Sequence, residues 1–295
     1  MWKLQLITLY CAVCDNYSII EAATQRQSNN SRPQFSDEEC ITIYLWGIKQ
    51  RRFELKTIYT YTKSHLSTWF PKLPSYQAFC SRLNYLAPAF QALANTWMYR
   101  VSSMNSIEMA YLLDSCPIIL AKQARSSHAK VAPELCDKGF NSSRDEYYYG
   151  VKLHVFAARY TKTLPTPCTM MISQASIHDL SAAKQIMDYA QPFREGILYA
   201  DKAYIDEARE VALDKNYNIH LCTPRKKKIG DTLTGGDAYS STFISGLRQQ
   251  IECFFSWLNA NTNIQCASKV RSGKGLLVHI FGRIASALFF RYVNP

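Results

Sequence analysis

Along the first hundred residues the apolar positions recur at helical spacing, and beyond residue 107 they close up into short continuous runs. That change of period divides the chain. Leu4 to Val13 form an apolar stretch that reads as an amphipathic first helix. The polar segment TQRQSNNSRPQ, from Thr24 to Gln34, reads as a loop or flexible linker. Ser36-Asp-Glu-Glu39 fits a capping box, in which Ser and Glu satisfy each other's orphan backbone donors. Ile41, Tyr44, Leu45 and Ile48 follow it at helical spacing. A further helix is predicted from about Glu54 to Trp69, stopped by Pro71 and Pro74, and another from Ser75 with Phe79, Leu83 and Leu86 on one face. These elements predict a small all-helical domain over residues 1–105.

The later runs are EMAYLLDSCPIIL (108–120), YYYGVKLHVFAA (147–158), CTMMISQ (168–174), GILYAD (196–201) and NIHLCT (218–223). They are rich in β-branched and aromatic residues, with helical patterns from about His178 to Ala190 and Asp206 to Lys215 between the last strands. Helices near 246–260 and 276–291 complete the chain. Hairpin-like strands followed by a βαβ alternation predict a mixed α/β domain over 106–295. Leu276 to Phe290 is interrupted by His279 and Arg283 and does not read as a membrane span. The N-terminal stretch lacks a small-residue cleavage pattern, so a soluble, unprocessed, cytoplasmic chain is expected.

Composition sharpens the picture where it is unbalanced. Of 295 residues, 34 are Lys or Arg and 23 Asp or Glu, a net charge of +11 that favours a polyanionic partner, nucleic acid being the commonest; a solvated basic surface is the plain alternative. Arg51, Arg52, Lys56, Lys63, Lys72 and Arg82 surround the predicted helices, giving the outline of a DNA-binding module that a plain bundle with charged outer faces would also give. Ten cysteines show no ligand spacing beyond Cys11-Ala-Val-Cys14 and read as reduced core thiols.

Two carboxylates break the buried pattern. Asp114 follows Ala110-Tyr-Leu-Leu113 and Asp201 follows Ile197-Leu-Tyr-Ala200, and an unpaired charge in either place would be costly. A salt bridge at a strand end would explain one such residue; two point to a site, because strand ends are where α/β sheets build them. Glu252 lies on the flank of a predicted apolar helix, four residues after Arg248, and could pair with it. Together the three supply hard oxygen ligands suited to Mg²⁺ or Mn²⁺, and two such ions could hold the attacking and leaving oxygens of a phosphodiester. The scattered His128, His154, His178 and His220, and glycines at 230–236 without a following Lys-Ser/Thr, give no support to a hydrolase triad or a nucleoside-triphosphatase.

The succession LLDSCPI with Asp114, EYYYGVKLHVF at 146–156, ILYADKAYID with Asp201 and LRQQIECFFSWL with Arg248 and Glu252 resembles the bacterial insertion-sequence transposases of the 982 type. These belong to the DDE class, whose catalytic core has a ribonuclease-H-like fold, and the likeness runs from about Asp37 to Asn294. It implies Asp114, Asp201 and Glu252 as the catalytic, metal-binding triad. It likens Arg248 to the arginine of the Tyr-Arg-Glu-Lys signature of related transposases, where this chain carries Ser245 and Asn259 in place of the tyrosine and lysine. The implied activity is cleavage at an element's terminal repeats and transfer of the freed 3′-OH to target DNA. Double-stranded DNA would be the partner, a homodimer the form that handles two ends, and no membrane is involved. Candidate DNA contacts are Arg82, Lys152, Lys202, Arg248 and the basic run Arg225, Lys226, Lys227 and Lys228. His154 reads as structural, and Tyr147 to Tyr149 as sheet packing. Two readings remain beside this one: a metal-dependent ribonuclease-H-like nuclease that joins nothing, and a non-catalytic DNA-binding derivative of a transposase.

Overall fold

The computed structural model describes residues 2–24, 33–104, 109–142, 144–189, 195–204, 206–224 and 235–293. The basic run 225–228 and most of the polar segment after Thr24 lie outside them. Two compact units emerge: Met1–Val101 with Lys130–Glu134 and Leu258–Pro295, and Ser102–Ala129 with Leu135–Trp257. The C-terminal segment therefore groups with the N-terminal helices, which differs from the single division near residue 105 read from the sequence.

The helical unit contains α1 (Trp2–Thr24), α2 (Asp37–Lys49), α3 (Leu55–His65), α4 (Tyr76–Tyr85), α5 (Ala87–Met104), which runs on past Val101, and, at the other end of the chain, α9 (Gly273–Leu288). The α1 helix is about twice as long as the stretch read from the sequence, and Leu6, Leu9 and Val13 form its buried stripe. The capping box of α2 forms as expected, with Ser36 Oγ accepting from Glu39 N and the Glu39 carboxylate accepting from Ser36 N. Every residue from Cys40 to Ile48 is buried, the mark of a helix in the middle of a bundle rather than on its surface.

α9 packs on α2 and α4. Its closest approach is at Gly282, where a Cβ would stand 2.5 Å from Tyr44 Cε1. This stretch, Gly273–Tyr292, is long and apolar enough to cross a membrane, but most of it is buried inside the protein, and its polar residues have partners there. His279 Nε2 lies 2.8 Å from the Ile264 carbonyl, which can only accept, so the ring donates through Nε2–H. Arg283 donates to the carbonyls of Thr262, Asn263 (2.9 Å) and Phe53 (2.6 Å).

Burial, reinforced by the charge on Arg283, holds the pKa of His279 well below its ordinary value of 6.5. The folded state therefore resists a proton that the unfolded chain accepts, and stability is lost as pH falls below about 6.5. We expect the folding equilibrium of wild type to weaken by up to about tenfold per pH unit between 6.5 and the folded pKa from this residue alone. Urea midpoints at pH 7.5 and 5.5 should differ less in His279→Gln than in wild type.

The second unit is a mixed sheet built from β1 (Ala110–Lys122), β2 (Asp137–Asn141), β3 (Glu146–Ala158), β4 (Thr166–Gln174), β5 (Gly196–Ala200) and β6 (Ile219–Cys222). Its order is β2-β3-β1-β5-β6, with β4 also on β3. The β1–β3, β2–β3 and β3–β4 ladders are antiparallel, and the β1–β5 and β5–β6 ladders parallel. α6 (Asp179–Tyr189) and α7 (Glu207–Tyr217) flank the sheet, and α8 (Gly235–Thr262) leads out of this unit at Trp257. Tyr111, Leu113, Phe156, Leu198 and Ala200 from the strands close a core with Ala183 and Ile186 of α6 and Leu213 of α7. This is the expected mixed α/β architecture with helices ahead of it, and it agrees with a ribonuclease-H-like sheet.

Three details differ from the sequence reading. β2 was not anticipated, because Asp137-Lys-Gly-Phe-Asn141 lacks an apolar run. α8 starts eleven residues earlier than its apolar stripe suggested, through a glycine- and serine-rich turn of low helix propensity. Of the ten cysteines, all free thiols, only Cys40, Cys116 and Cys136 are buried, while Cys11, Cys253 and Cys266 are exposed.

Candidate active site

The register of β1 against β5 decides where the two aspartates lie. Leu113 pairs with Ala200 in the parallel ladder, so the next residues, Asp114 and Asp201, lie at the same level of neighbouring strands. Asp114 remains within β1, opposite Val155 of β3, whereas Asp201 is the first residue beyond β5. The apolar bodies of the strands, with Leu112, Leu113, Leu198 and Ala200 all buried, fix these carboxylates in place.

Backbone amides set their orientation. Ser115 N donates to Asp114 Oδ1 at 2.8 Å, and Lys202 N donates to Asp201 Oδ1 at 2.7 Å. After Asp201 the chain turns through Lys202–Tyr204, with Tyr204 N donating to the Asp201 carbonyl at 2.9 Å. Tyr204 is buried, and burial, followed by the charges of Asp114 and Asp179, pushes its hydroxyl pKa well above the ordinary value.

α8 supplies the cation. Arg248 reaches Asp114 Oδ2 at 3.3 Å with one terminal nitrogen and Asp201 Oδ1 at 3.6 Å with the other. The helix is held over this point by Gln250, whose side chain donates to the carbonyls of Tyr160 and Thr163. Glu252 is exposed, one turn beyond Arg248. It is near enough that its charge and that of Asp201 both raise the pKa of Asp114. Burial is the larger cause, and with Arg248 and the Ser115 amide opposing it the carboxyl rises from 3.8 to about 6.

The donor set consists of hard carboxylate oxygens, which fit Mg²⁺ or Mn²⁺ in kind. Among the described residues, no three His, Cys, Asp or Glu side chains converge as a ready-made metal cage. Arg248, rather than a third carboxylate, is what joins Asp114 to Asp201.

The remaining residues singled out from the sequence fall in different places. Lys202 is exposed beside Asp201. Lys152 is committed within the unit, donating to the Ile177 carbonyl and to Asp179 Oδ1, both at 3.0 Å. His154 is buried and meets Ser173 Oγ at 2.8 Å, with its pKa held down to about 4, chiefly by burial. Tyr148 and Tyr149 are buried as sheet packing requires, but Tyr147 is 55% exposed, so the packing expectation fails for it. In the helical unit, Arg82 donates through Nε to Asp37 Oδ1 at 2.6 Å and through a terminal nitrogen to Asp37 Oδ2, with only 16% of its side chain exposed. Its guanidinium ties α4 to the start of α2. Arg225 and Lys226 to Lys228 lie outside the described residues.

Sequence reasoning passed over Asp179, at the start of α6, which accepts from Ser115 Oγ at 3.3 Å as well as from Lys152. The only hint was its place in the first turn of the helical pattern read from about His178. Tyr204 was missed because an aromatic residue three positions beyond a strand carries no distinctive signal.

A family model described as Transposase DDE domain matches residues 104–268, more than half of the chain, from just before β1 to just past α8. None of the curated proteins compared matches it.

Proposed function

Because the chain belongs to the transposase DDE-domain family, we propose that it is a DNA transposase in which Asp114, Asp201 and Glu252 are the catalytic carboxylates. The observation that carries this reading is the pairing of Asp114 and Asp201 at one level of adjacent parallel strands, bracketed by Arg248. Within the family, the motifs around these residues favour the 982 type.

Asp114, Asp201 and Glu252 would hold Mg²⁺ or Mn²⁺, which supplies activation of the attacking oxygen and charge neutralisation at the phosphodiester. The protein's own contributions are positional and electrostatic. The amides of Ser115 and Lys202 fix the two aspartate rotamers. Arg248 keeps the carboxylates together in spite of their repulsion and offers a guanidinium to a DNA phosphate when they are otherwise neutralised. In the first step a water oxygen bonds to phosphorus and the 3′-oxygen leaves with a proton as a free 3′-OH. In the second that hydroxyl bonds to a target phosphorus, loses its proton and displaces the target strand's 3′-oxygen, so phosphodiester bonds are conserved. Exposed Lys202 and the basic run 225–228 would grip phosphates, with Arg51, Arg52, Lys56, Lys63 and Lys72 serving the same end from the helical region.

The reading is tested with labelled DNA carrying the element's terminal repeats. With Mg²⁺ or Mn²⁺ we expect 3′-OH ends at the repeat boundary followed by joined products in a target plasmid. Cleavage without joining would replace this reading with that of a nuclease, and repeat binding without cleavage with that of a non-catalytic derivative.

A further inference from the structure

The β2–β3 hairpin carries an exposed aromatic pair that neither the core nor the carboxylate site uses. Phe140 and Tyr147 are cross-strand partners, 47% and 55% exposed, with ring centroids 5.0 Å apart. Lys138, two residues before Phe140 and so on the same face of β2, holds its ammonium 4.6 Å from the centre of the Tyr147 ring. It also approaches Ser127 Oγ at 3.5 Å, and its three N–H groups leave donors for a phosphate.

The pair borders a cleft of about 450 Å³, a volume within the range of small-ligand sites. Besides Lys138, Phe140 and Tyr147, its lining includes Lys152, Ser176 and Asp179. Gly139 lets β2 lie close against Ala175 beside the cleft, since a Cβ there would meet the Ala175 carbonyl at 2.6 Å. Asp137 anchors the same strand by accepting from Ser176 N at 2.9 Å. Asp179 links the cleft to the carboxylate site, since it accepts from Lys152 and also from Ser115, the residue after Asp114.

We propose that this cleft takes one unstacked nucleotide of the DNA substrate, its base against Phe140 and Tyr147 and its phosphate on Lys138. The inference rests on DNA being the substrate and adds a site for single-stranded character on the same sheet as the carboxylates, roughly 25 Å along β3 from the level of Asp114. The surface suits a base better than an apolar peptide side chain because a cation already lies over one ring and polar residues share the lining. Stacking is tolerant of base identity, and an aromatic face with a neighbouring lysine is what a single strand requires. A duplex would meet the lysine alone, since its bases are already stacked.

The test compares binding of a twelve-nucleotide oligothymidylate and of a mixed-sequence twelve-base-pair duplex by the full-length protein, using fluorescence anisotropy at fixed salt. We expect Tyr147→Ala and Phe140→Ala each to weaken single-strand binding by about tenfold while changing duplex binding less than twofold. Tyr147→Phe should restore most of the loss, and thermal melting should match wild type because both rings are exposed. Equal losses on the two probes, or no loss on the single strand, would overturn the cleft while leaving the transposase reading in place. Failure of wild type to bind either probe would overturn both.

Discussion

Asp114→Asn and Asp201→Asn should each lower strand cleavage by about 10³-fold or more while leaving DNA binding within a few-fold of wild type. Each substitution preserves size and hydrogen-bonding reach but removes a negative charge from a pair that works as a unit. For the same reason the double variant should be hardly worse than either single one, since groups acting together are strongly non-additive. Glu252→Gln belongs to the same series, and retained cutting would remove that residue from the site. Neither Asn variant should impair folding: at Asp114, removing a buried charge offsets the lost contact with Arg248, and Asp201 is partly exposed. Quantitative cleavage of labelled repeat DNA together with gel-shift affinity separates these outcomes.

The largest effect on stability is expected at Arg283. Its guanidinium sits at the C-terminal end of α8, where the last carbonyls of a helix have no intrahelical partner. Asn263, just past Thr262, takes the left-handed conformation, φ 53°, that ends the helix, and Arg283 collects the carbonyls of both residues and of Phe53. The residue is 4% exposed, so water cannot readily replace it. Arg283→Met should therefore cost about 3–5 kcal/mol, the sum of stranding several buried acceptors. Arg283→Lys should recover less than half of that, because a single ammonium cannot fan out to carbonyls on two segments. Urea unfolding followed by far-ultraviolet circular dichroism measures both. Equal stability of Met and wild type would show that these contacts contribute nothing net.

How far the fold and site were legible follows from where each signal resides. A carboxylate at the end of an apolar run is visible in the string, so Asp114 and Asp201 could be picked out as a pair. The register that puts them level is a property of the ladder between Leu113 and Ala200, which no local pattern encodes. Likewise α9 announces itself as a buried helix by being apolar all round, but such a helix does not say what buries it, and its partners α2 and α4 lie about two hundred residues away. β2 escaped notice because its stability comes from pairing with β3 and from Asp137 and Gly139, not from apolar side chains. Charge was the least informative signal at single positions. Arg82 and Lys152 read as phosphate contacts, yet each is held by an aspartate of its own unit, Asp37 and Asp179. Tyr147 shows the reverse: a tyrosine triplet suggests packing, but the first of the three lies out on the hairpin with its ring in solvent.

A catalytic cation is expected on the carboxylates of Asp114, within β1, and Asp201, just past the end of β5. Replacing Mg²⁺ with Fe²⁺ in the full-length protein, then generating hydroxyl radicals with ascorbate and peroxide, cuts the backbone beside the bound ion. Mass spectrometry should find the cuts clustered around residues 114 and 201, suppressed by excess Mg²⁺ and lost in Asp201→Asn. Cuts clustered elsewhere, or a pattern unchanged by Asp201→Asn, would contradict that placement.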